Sequence, residues 1–194
     1  MSYYLSAGYV NQPGVLNFIE SIDNYKRYNI NAGLVAQAND WLRLTFRTRY
    51  SHANSKAPTG EFDGGRDRIY QFAYTAWPTE AVLNPTGQYS SLSRILQSIN
   101  GGNVELASHR LDNILALDMD LAKGWTAHVD GTWRLAFDDY QKLRKIVYET
   151  GPTGIDNQVA GTESSIAKYN QLGTYWTIQG YTAYEHRLNK HTFR

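Results

Sequence analysis

The sequence has no cysteine, no excess of charge of either sign and no long apolar run. Without cysteine, a disulfide framework and cysteine-ligated metal are excluded. The 19 Lys and Arg residues balance 18 Asp and Glu residues, which gives no support to nucleic-acid binding, because that needs a basic patch or stripe. A transmembrane helix, which needs about 20 apolar residues, is also absent. Strands remain able to cross a membrane, since each needs only about 9–11 residues of alternating polarity.

The sequence also lacks the patterns of common catalytic and metal sites. It has no Gly-rich phosphate loop, no nucleophile elbow and no Cys nucleophile. Its five histidines are scattered, without the H-x-x-x-H spacing of a helical metal pair. They are His52, His109, His128, His186 and His191. We therefore expect neither an enzyme nor a bound metal or other cofactor.

Aromatic residues and alternation of polarity are abundant. The 15 Tyr and 5 Trp residues indicate a sheet protein with wet interfaces or membrane girdles. Between 42 and 50, the alternation gives a strand one apolar and one charged face. The apolar face carries Leu42, Leu44, Phe46, Thr48 and Tyr50, and the other carries Arg43, Thr45, Arg47 and Arg49. Few soluble sheets have such a pair of faces.

The same alternation predicts six antiparallel strands and the start of a seventh. They are 3–10, about 25–38, 41 to about 53, 111–121, 125–137 and roughly 174–187, with the stub at 191–194. Short turns at 39–40 and 122–124 make two β-hairpins, and a third short turn is expected at 188–190. In the sixth strand two phases compete. The apolar face is formed either by Ile178, Gly180, Thr182 and Tyr184 or by Tyr175, Tyr181 and Ala183.

Long polar and aromatic loops are predicted at 11–24, 54–108 and 138–173. In the middle loop, apolar residues at helical spacing lie between Ser90-Ser91 and Gly101-Gly102, which predicts a short capped helix. Short turns at one end and long loops at the other are typical of bacterial outer-membrane barrels, in which the loops are extracellular. We therefore expect an all-β fold, a segment of an antiparallel transmembrane β-barrel.

Three groups of side chains are candidates for function. Tyr28, Tyr50, Trp125, Trp133 and Phe137 are expected on the lipid face as girdle residues. The candidate lumen lining is Arg43, Arg47, Arg49, Asp118, Asp120, His128, Asp130 and Arg134. Arg43, Arg47 and Arg49 could bind an anionic substrate or pair with carboxylates of neighbouring strands, and the aspartates fit a lumen better than a glycosidase pair. In the long loop, Tyr70, Tyr74, Trp77 and Tyr89, with Phe72, could contact substrate or a partner, or form the loop's own core.

A set of short segments occurs in a specific order along nearly the whole chain. They are Gly8-Tyr9-Val10-Asn11-Gln12-Pro13-Gly14, Tyr25-Lys26-Arg27-Tyr28-Asn29 leading to Asp40-Trp41-Leu42-Arg43-Leu44, Asn84-Pro85-Thr86-Gly87-Gln88-Tyr89, Leu121-Ala122-Lys123-Gly124-Trp125, and Tyr184-Glu185-His186 followed by Lys190-His191-Thr192-Phe193. Their order and spacing resemble the mid-barrel region of SusC/RagA-type TonB-linked outer-membrane transporters from Bacteroidetes.

The resemblance implies an outer-membrane barrel of the 22-stranded class with a plugged lumen, importing oligosaccharides or peptides with energy from TonB. It also implies a SusD-like surface lipoprotein that closes over the extracellular loops, and contact with outer-membrane lipid. Residues 1–194 would be part of the barrel, because a signal peptide, TonB box, plug domain and C-terminal closing strand are not recognisable. TonB would act through the missing plug region.

Two other functions stay open. A soluble carbohydrate-binding β-sandwich would use the aromatic residues as a sugar platform, and it predicts strands of about 5–6 residues. A passive porin segment would share the long strands and the two faces.

Overall fold

A six-stranded antiparallel sheet dominates the computed structural model, which describes residues 1–14, 23–59, 74–75, 77–90, 95–151, 153–188 and 191–193. Its strands are β1 (Ser2–Pro13), β2 (Asn24–Asn39), β3 (Leu42–Pro58), β4 (Asn103–Ala122), β5 (Trp125–Arg144) and β8 (Ser165–Tyr184). Each pairs with the next in the order β1-β2-β3-β4-β5-β8, so that β1 and β8 are the two edges. The expected all-β antiparallel fold is confirmed. The sheet is open and is not closed into a barrel.

Smaller elements lie outside this sheet. Helix α1 (Ile95–Asn100) lies between β3 and β4, the hairpin of β6 (Val147–Thr150) and β7 (Asp156–Ala160) lies between β5 and β8, and β9 (His186–Leu188) pairs with β10 (His191–Phe193). The predicted short helix is confirmed at 95–100, and its expected start at 91–94 lies outside the described residues. The predicted seventh strand pairs with β9 rather than with the main sheet.

Two-residue turns join β2 to β3 at 40–41 and β4 to β5 at 123–124. Gly124 has a φ of +78°, a conformation that residues with a Cβ rarely adopt. A Cβ at this position would also lie 2.2 Å from the carbonyl oxygen of Glu185. The second turn therefore requires glycine. The predicted short turns are confirmed within a residue, except that of 188–190, where 189–190 lie outside the described residues.

The strands are longer than predicted, and the loops are correspondingly shorter. Strand β4 begins at Asn103 rather than 111, β5 continues to Arg144 rather than 137, and β8 spans Ser165–Tyr184 rather than 174–187. The reason is that strand pairing depends on backbone hydrogen bonds, which continue where both faces carry polar side chains and the alternation disappears. The long connections are therefore 14–23, 59–102 and 145–164, all at the same end of the sheet.

The register settles the phase of β8. Ile178 lies opposite Gly131, and Trp176 lies opposite Trp133. Side chains of directly opposite residues share one face of a sheet, so Ile178, Gly180, Thr182 and Tyr184 join the apolar face of β5. Tyr175 and Tyr181 join the other face.

Apart from Pro58 at the end of β3, the buried apolar side chains of the described residues lie in the loops. Among the described residues, the buried hydrophobic side chains are Leu96 of α1, Val147 of β6 and Ala160 of β7, with Tyr89 and Val159 packed against them. We call these five residues the loop core. Because they come from both 59–102 and 145–164, the loop core joins the two long connections.

Candidate functional site

One face of the sheet, here called the apolar face, carries apolar side chains on all six strands. One cross-strand row consists of Tyr3, Leu34, Phe46, Leu115, Gly131 and Ile178, and the next of Leu5, Ala32, Thr48, Asn113, Trp133 and Trp176. Even on the interior strands, Val129 is 36% exposed and Trp133 47% exposed. No second layer of the described chain covers this face. The exposed apolar area is continuous across six strands, whereas the surface of a soluble protein usually carries only scattered apolar residues.

A row of rings borders the apolar face towards the long connections. Its members lie opposite one another on β1 to β5, and they are Tyr9, Tyr28, His52, His109 and Phe137. Successive ring centroids are 4.8, 6.3, 4.4 and 6.0 Å apart. Tyr50, one row further in, lies with its hydroxyl 2.8 Å from Nδ1 of His109. We call the five residues the ring belt.

Beyond the ring belt the same face becomes polar. Nζ of Lys56 lies 3.2 Å from Oε1 of Glu105, and Nζ of Lys168 lies 3.7 Å from Oδ2 of Asp139. The apolar part of the face therefore ends sharply at the ring belt.

The expected girdle residues have three different positions. Tyr28 and Phe137 belong to the ring belt, and Tyr50 hydrogen-bonds to it. Trp125 lies at the opposite border, where its Nε1 donates to Oγ1 of Thr182 at 2.6 Å. Trp133 lies on the apolar face as expected, but away from both borders, where a girdle residue would not lie.

Sequence reasoning missed the two histidines of the ring belt, which it treated as scattered. His52 lies two residues after Tyr50, and His109 lies two residues before Leu111, so both share the apolar face. The spacing of two could have placed each histidine on that face. It could not have placed them opposite each other, because β3 and β4 are separated by the long segment 59–102.

The other face, here called the polar face, holds a carboxylate and histidine cluster near the two-residue turns. Nδ1 of His128 lies 2.6 Å from Oδ1 of Asp118, and Nε2 lies 3.2 Å from Oδ1 of Asp130. Gln179 Nε2 donates to both oxygens of Asp130, and the ring of Tyr181 stacks on His128 at 5.0 Å. Only a protonated imidazole has N–H groups on both nitrogens, so this arrangement suits the charged ring.

This cluster borders a hollow of about 340 Å³ that also contains the predicted lining residues Arg43 and Asp120. Arg43 Nε donates to Oε1 of Gln37 at 3.4 Å. Asp120 lies at the end of β4, where its backbone N–H donates to the carbonyl oxygen of Trp41. The structure thus brings five of the eight predicted lining residues together at this end of the polar face.

The other three predicted lining residues, Arg47, Arg49 and Arg134, border a second hollow of about 260 Å³. Arg49 Nε donates to Oδ1 of Asn31 at 3.1 Å, and Arg134 Nε donates to Oδ1 of Asp112. Arg49 and Arg134 lie on either side of Asp112 in the register. Arg134 thus pairs with a carboxylate of a neighbouring strand, whereas Arg43 and Arg49, of which such pairing was one expectation, hydrogen-bond to amide groups.

Next to the long connections, Arg110 and Asp138 form a two-pronged ion pair. Nη1 and Nη2 of Arg110 donate to the two carboxylate oxygens at 2.9 and 3.0 Å. Hydrogen bonds from Arg110, and then from Ser108, hold the pKa of Asp138 below its ordinary value. Asp138 lies one residue beyond Phe137 of the ring belt, on the loop side of it.

The loop aromatics are divided between exposed and packed positions. Tyr74 is 89% exposed and Trp77 is 72% exposed, whereas Tyr89 packs on the loop core. Tyr89 thus packs in a core that two long connections share, and not in a core formed by its own loop alone. Tyr70 and Phe72 lie outside the described residues.

The connection 59–102 contains a tight turn at 84–89. Oδ1 of Asn84 accepts hydrogen bonds from the backbone N–H groups of Thr86 and Gln88 at 3.1 and 3.0 Å. Gly87 has a φ of +82° and donates its N–H to the Asn84 carbonyl oxygen. Asn84 Nδ2 also donates to the carbonyl oxygen of Thr150 at 3.3 Å, which ties the turn to the second long connection.

Neither a metal centre nor a spanning helix is found in the part of the chain that the structure describes. Across those ranges, no three His, Asp or Glu side chains are placed to hold a metal ion together. None of the helices described there is long and apolar enough to cross a membrane.

The fold and the two faces define an all-β protein built on one long antiparallel sheet with an exposed apolar face and a charged polar face. Comparison of the sequence with models of protein families and with curated proteins finds no match.

Proposed function

We propose that the chain forms part of the wall of an outer-membrane β-barrel transporter of the SusC/RagA type, which imports glycans or peptides with energy from TonB. The observation that carries this proposal is the exposed apolar face with its sharp border at the ring belt. A surface of this kind is stable in lipid, where apolar side chains need no covering layer. The family assignment is supported by the resemblance in segment order described above.

The apolar face has dimensions that suit a bilayer. On β5 it extends from Trp125 to Phe137. At a rise of about 3.3 Å per residue this is about 40 Å along the strand, or about 28 Å across a membrane at a tilt of about 45°. That length is close to the hydrocarbon thickness of about 30 Å. Rings at the border, as in the ring belt, are typical of the interfacial girdles of such proteins.

The edges of β1 and β8 need partners in this setting. An edge strand exposes unpaired N–H and C=O groups, each of which is expensive in hydrocarbon. In the proposed wall these edges pair with further strands, and the polar face lines the lumen. The chain would then contribute a panel of the barrel.

The long connections would be extracellular and would take part in substrate capture. Tyr74 and Trp77 are exposed there, on a framework stabilised by the loop core. Exposed aromatic side chains are frequent anchors in interfaces. We propose that they contact a SusD-like lipoprotein or the incoming substrate.

The alternative of a β-sandwich is less well supported. It predicts strands of about 5–6 residues, whereas the strands of the main sheet have 12 to 20 residues. It also requires a second sheet against the apolar face, and no described residues form one. A passive porin segment would share every feature of the sheet, and only the family resemblance favours the transporter.

Quenching by brominated lipid tests the orientation of the sheet. Two single-tryptophan variants are reconstituted in vesicles, one retaining Trp133 and the other retaining Trp77, with the remaining tryptophans replaced by Phe. We expect bromine at the middle of the acyl chains to quench Trp133 strongly, because this residue lies within the apolar face. Trp77, in a long connection, should be unaffected.

A variant retaining Trp125 serves as the depth control, and bromine near the headgroups should quench it more than bromine near the chain ends. Circular dichroism first verifies that each variant is β-structured in the vesicles. Equal quenching of Trp133 and Trp77, or a β-structured chain that stays in the aqueous fraction, would contradict the proposal.

A further inference from the structure

We infer that the polar face binds the carboxylate of an acidic sugar unit at the hollow bordered by Arg47, Arg49 and Arg134, with the ring of Tyr4 as its platform. This inference rests on the proposed function, because it names the class of glycan that the lumenal side of the panel would recognise. Four features support it: the distribution of charge, the availability of the guanidinium groups, the position of Tyr4 and the size of the hollow.

Charge on the polar face is segregated along the strands. Four successive cross-strand rows, from Val10 to Tyr4 on β1, contain five arginines and two aspartates. The arginines are Arg27, Arg47, Arg49, Arg110 and Arg134, and the aspartates are Asp112 and Asp138. We call this region the basic zone, and it has a formal excess of three positive charges.

The rows nearer the two-residue turns have the opposite sign. Asp118, Asp120 and Asp130 are accompanied there by Arg43 and by His128. Even with His128 protonated, this region keeps an excess of negative charge. An anion approaching from the long connections would therefore be attracted to the basic zone and repelled below it.

The guanidinium groups around the hollow are only partly engaged. Arg110 is fully paired with Asp138 by its two-pronged contact. Arg49 and Arg134 each use Nε, through Asn31 and Asp112 respectively.

Arg47 lies opposite Ile114 in the register, and its side chain makes no hydrogen bond or ion pair with any residue that the structure describes. Its side chain is exposed, and its planar fork suits a carboxylate. One arginine of the hollow is thus wholly available, and two more retain free N–H groups.

Tyr4 provides an aromatic surface at the edge of the same hollow. Its ring lies over Gly33 so closely that a Cβ on Gly33 would be 2.1 Å from Cε1 of Tyr4. The absence of a side chain at Gly33 therefore lets the ring lie flat against β2. A flat, exposed ring beside arginines fits a sugar, whose C–H groups pack on the ring while its carboxylate binds the guanidinium groups.

The hollow is small, at about 260 Å³. Pockets that enclose a drug-sized ligand have about 300–1,000 Å³, so this one fits a single unit of a chain. Asn31 and Thr132, which also line it, can hydrogen-bond to hydroxyl groups. The site thus matches a uronic acid residue within an oligosaccharide that passes along the polar face.

Calorimetric titration of the 194-residue chain in detergent micelles tests the inference. The probes are trigalacturonate, the neutral sugar maltotriose and the peptide triglutamate, all at low salt. We expect trigalacturonate to bind at least tenfold more tightly than maltotriose, because a neutral sugar leaves the arginines without a counter-charge. Triglutamate should also bind more weakly, since it gains little from the Tyr4 ring.

Arg47→Gln should weaken trigalacturonate binding about tenfold or more, the usual effect of losing a charge-assisted hydrogen bond. The matched control is Lys26→Gln, which removes one positive charge from β2 on the opposite face of the sheet and should change binding less than twofold. Arg47→Lys, which keeps the charge but not the fork, should give an intermediate affinity and serves if the glutamine variant misfolds.

Different outcomes overturn different statements. If the chain passes the vesicle quenching test and binds no trigalacturonate, or binds it equally after Arg47→Gln, the inference is wrong and the proposed wall stands. If triglutamate binds as tightly as trigalacturonate, the site is a carboxylate site without selectivity for sugars, and the assigned class is wrong. If the quenching test fails while trigalacturonate binding still depends on Arg47, the proposed wall and the lumenal role of the site are wrong, and the carboxylate site itself stands.

Discussion

At the scale of single residues, the register explains why a glycine occupies position 33. Gly33 lies between Tyr4 on β1 and Arg47 on β3, and the tyrosine ring occupies the space where a side chain would be. Glycine in a strand usually weakens the strand, because it has no side chain to pack and loses more backbone entropy on folding. Here the neighbouring ring covers the exposed backbone and offsets that loss.

We therefore predict that Gly33→Ala reduces the free energy of unfolding by about 1–3 kcal/mol, because the new methyl group displaces the Tyr4 ring. In a Tyr4→Ala background the same substitution should have no effect or should stabilise the protein, since alanine is better than glycine in a strand. Urea unfolding in detergent micelles measures all four variants of this cycle. Gly8→Ala, where the nearest atom lies 3.8 Å from the new Cβ, is the control. Additive effects of the two substitutions would refute the coupling.

At the scale of elements, the strands could be recognised from the sequence, but their ends could not. The alternation at 42–50 predicted a strand with one apolar and one polar face, and the register places both as expected. Beyond Phe137, polar side chains on both faces of β5 remove the alternation while the backbone pairing continues to Arg144. The phase of β8 was undetermined because Tyr and Thr suit either face. The phase is fixed by the pairing of β8 with β5, which is a tertiary contact and not a property of the β8 sequence alone.

The candidate site was predictable to a similar degree. Period-two spacing was enough to place all eight predicted lining residues on one face. Their division into two hollows was not predictable, because it depends on which strands are neighbours across the long connections. The role of Tyr4 was missed for the same reason, since only the pairing of Tyr4 with Gly33 brings its ring beside Arg47.

The turn between β4 and β5 gives an element-scale prediction. Gly124→Ala forces an L residue into a φ of +78° and brings its Cβ against the Glu185 carbonyl oxygen. We expect a loss of about 1–3 kcal/mol in unfolding free energy. Gly131→Ala, within β5, has its nearest atom at 3.8 Å and should be almost neutral. Thermal unfolding followed by circular dichroism compares the two variants, and equal melting temperatures would show that the turn tolerates a side chain.

At the scale of the whole molecule, the sheet has two chemically different faces and hardly any interior. Apart from Pro58, the buried apolar residues of the described chain lie in the loop core, so the apolar face of the sheet is covered only by its surroundings. Adjacent residues on one strand therefore meet different environments. Leu115 lies near the middle of the apolar face, and Ala116 lies on the polar face next to Asp130.

This difference predicts that the same new charge is costly on one face and tolerated on the other. In the proposed bilayer setting, Leu115→Arg should destabilise the inserted protein by about 2–4 kcal/mol, the cost of arginine near the membrane midplane. Ala116→Arg should have little effect, because its side chain extends away from lipid towards Asp130. Urea titration of vesicle-bound protein measures both. Similar losses for the two variants would mean that the two faces do not meet different solvents.

The placement of short and long connections also bears on how the sheet assembles. The hairpins β2–β3 and β4–β5 close through two-residue turns, and such hairpins form in about 1–10 μs. Joining β3 to β4, and β5 to β8, requires closing the segments 59–102 and 145–164, with an entropic cost that rises slowly with length. Within β3–β4 and β5–β8 the paired residues closest in sequence, such as Pro58 with Asn103 and Arg144 with Ser165, therefore lie at the loop end. The burial of Leu96 in one cluster with Val147 needs both long segments in place.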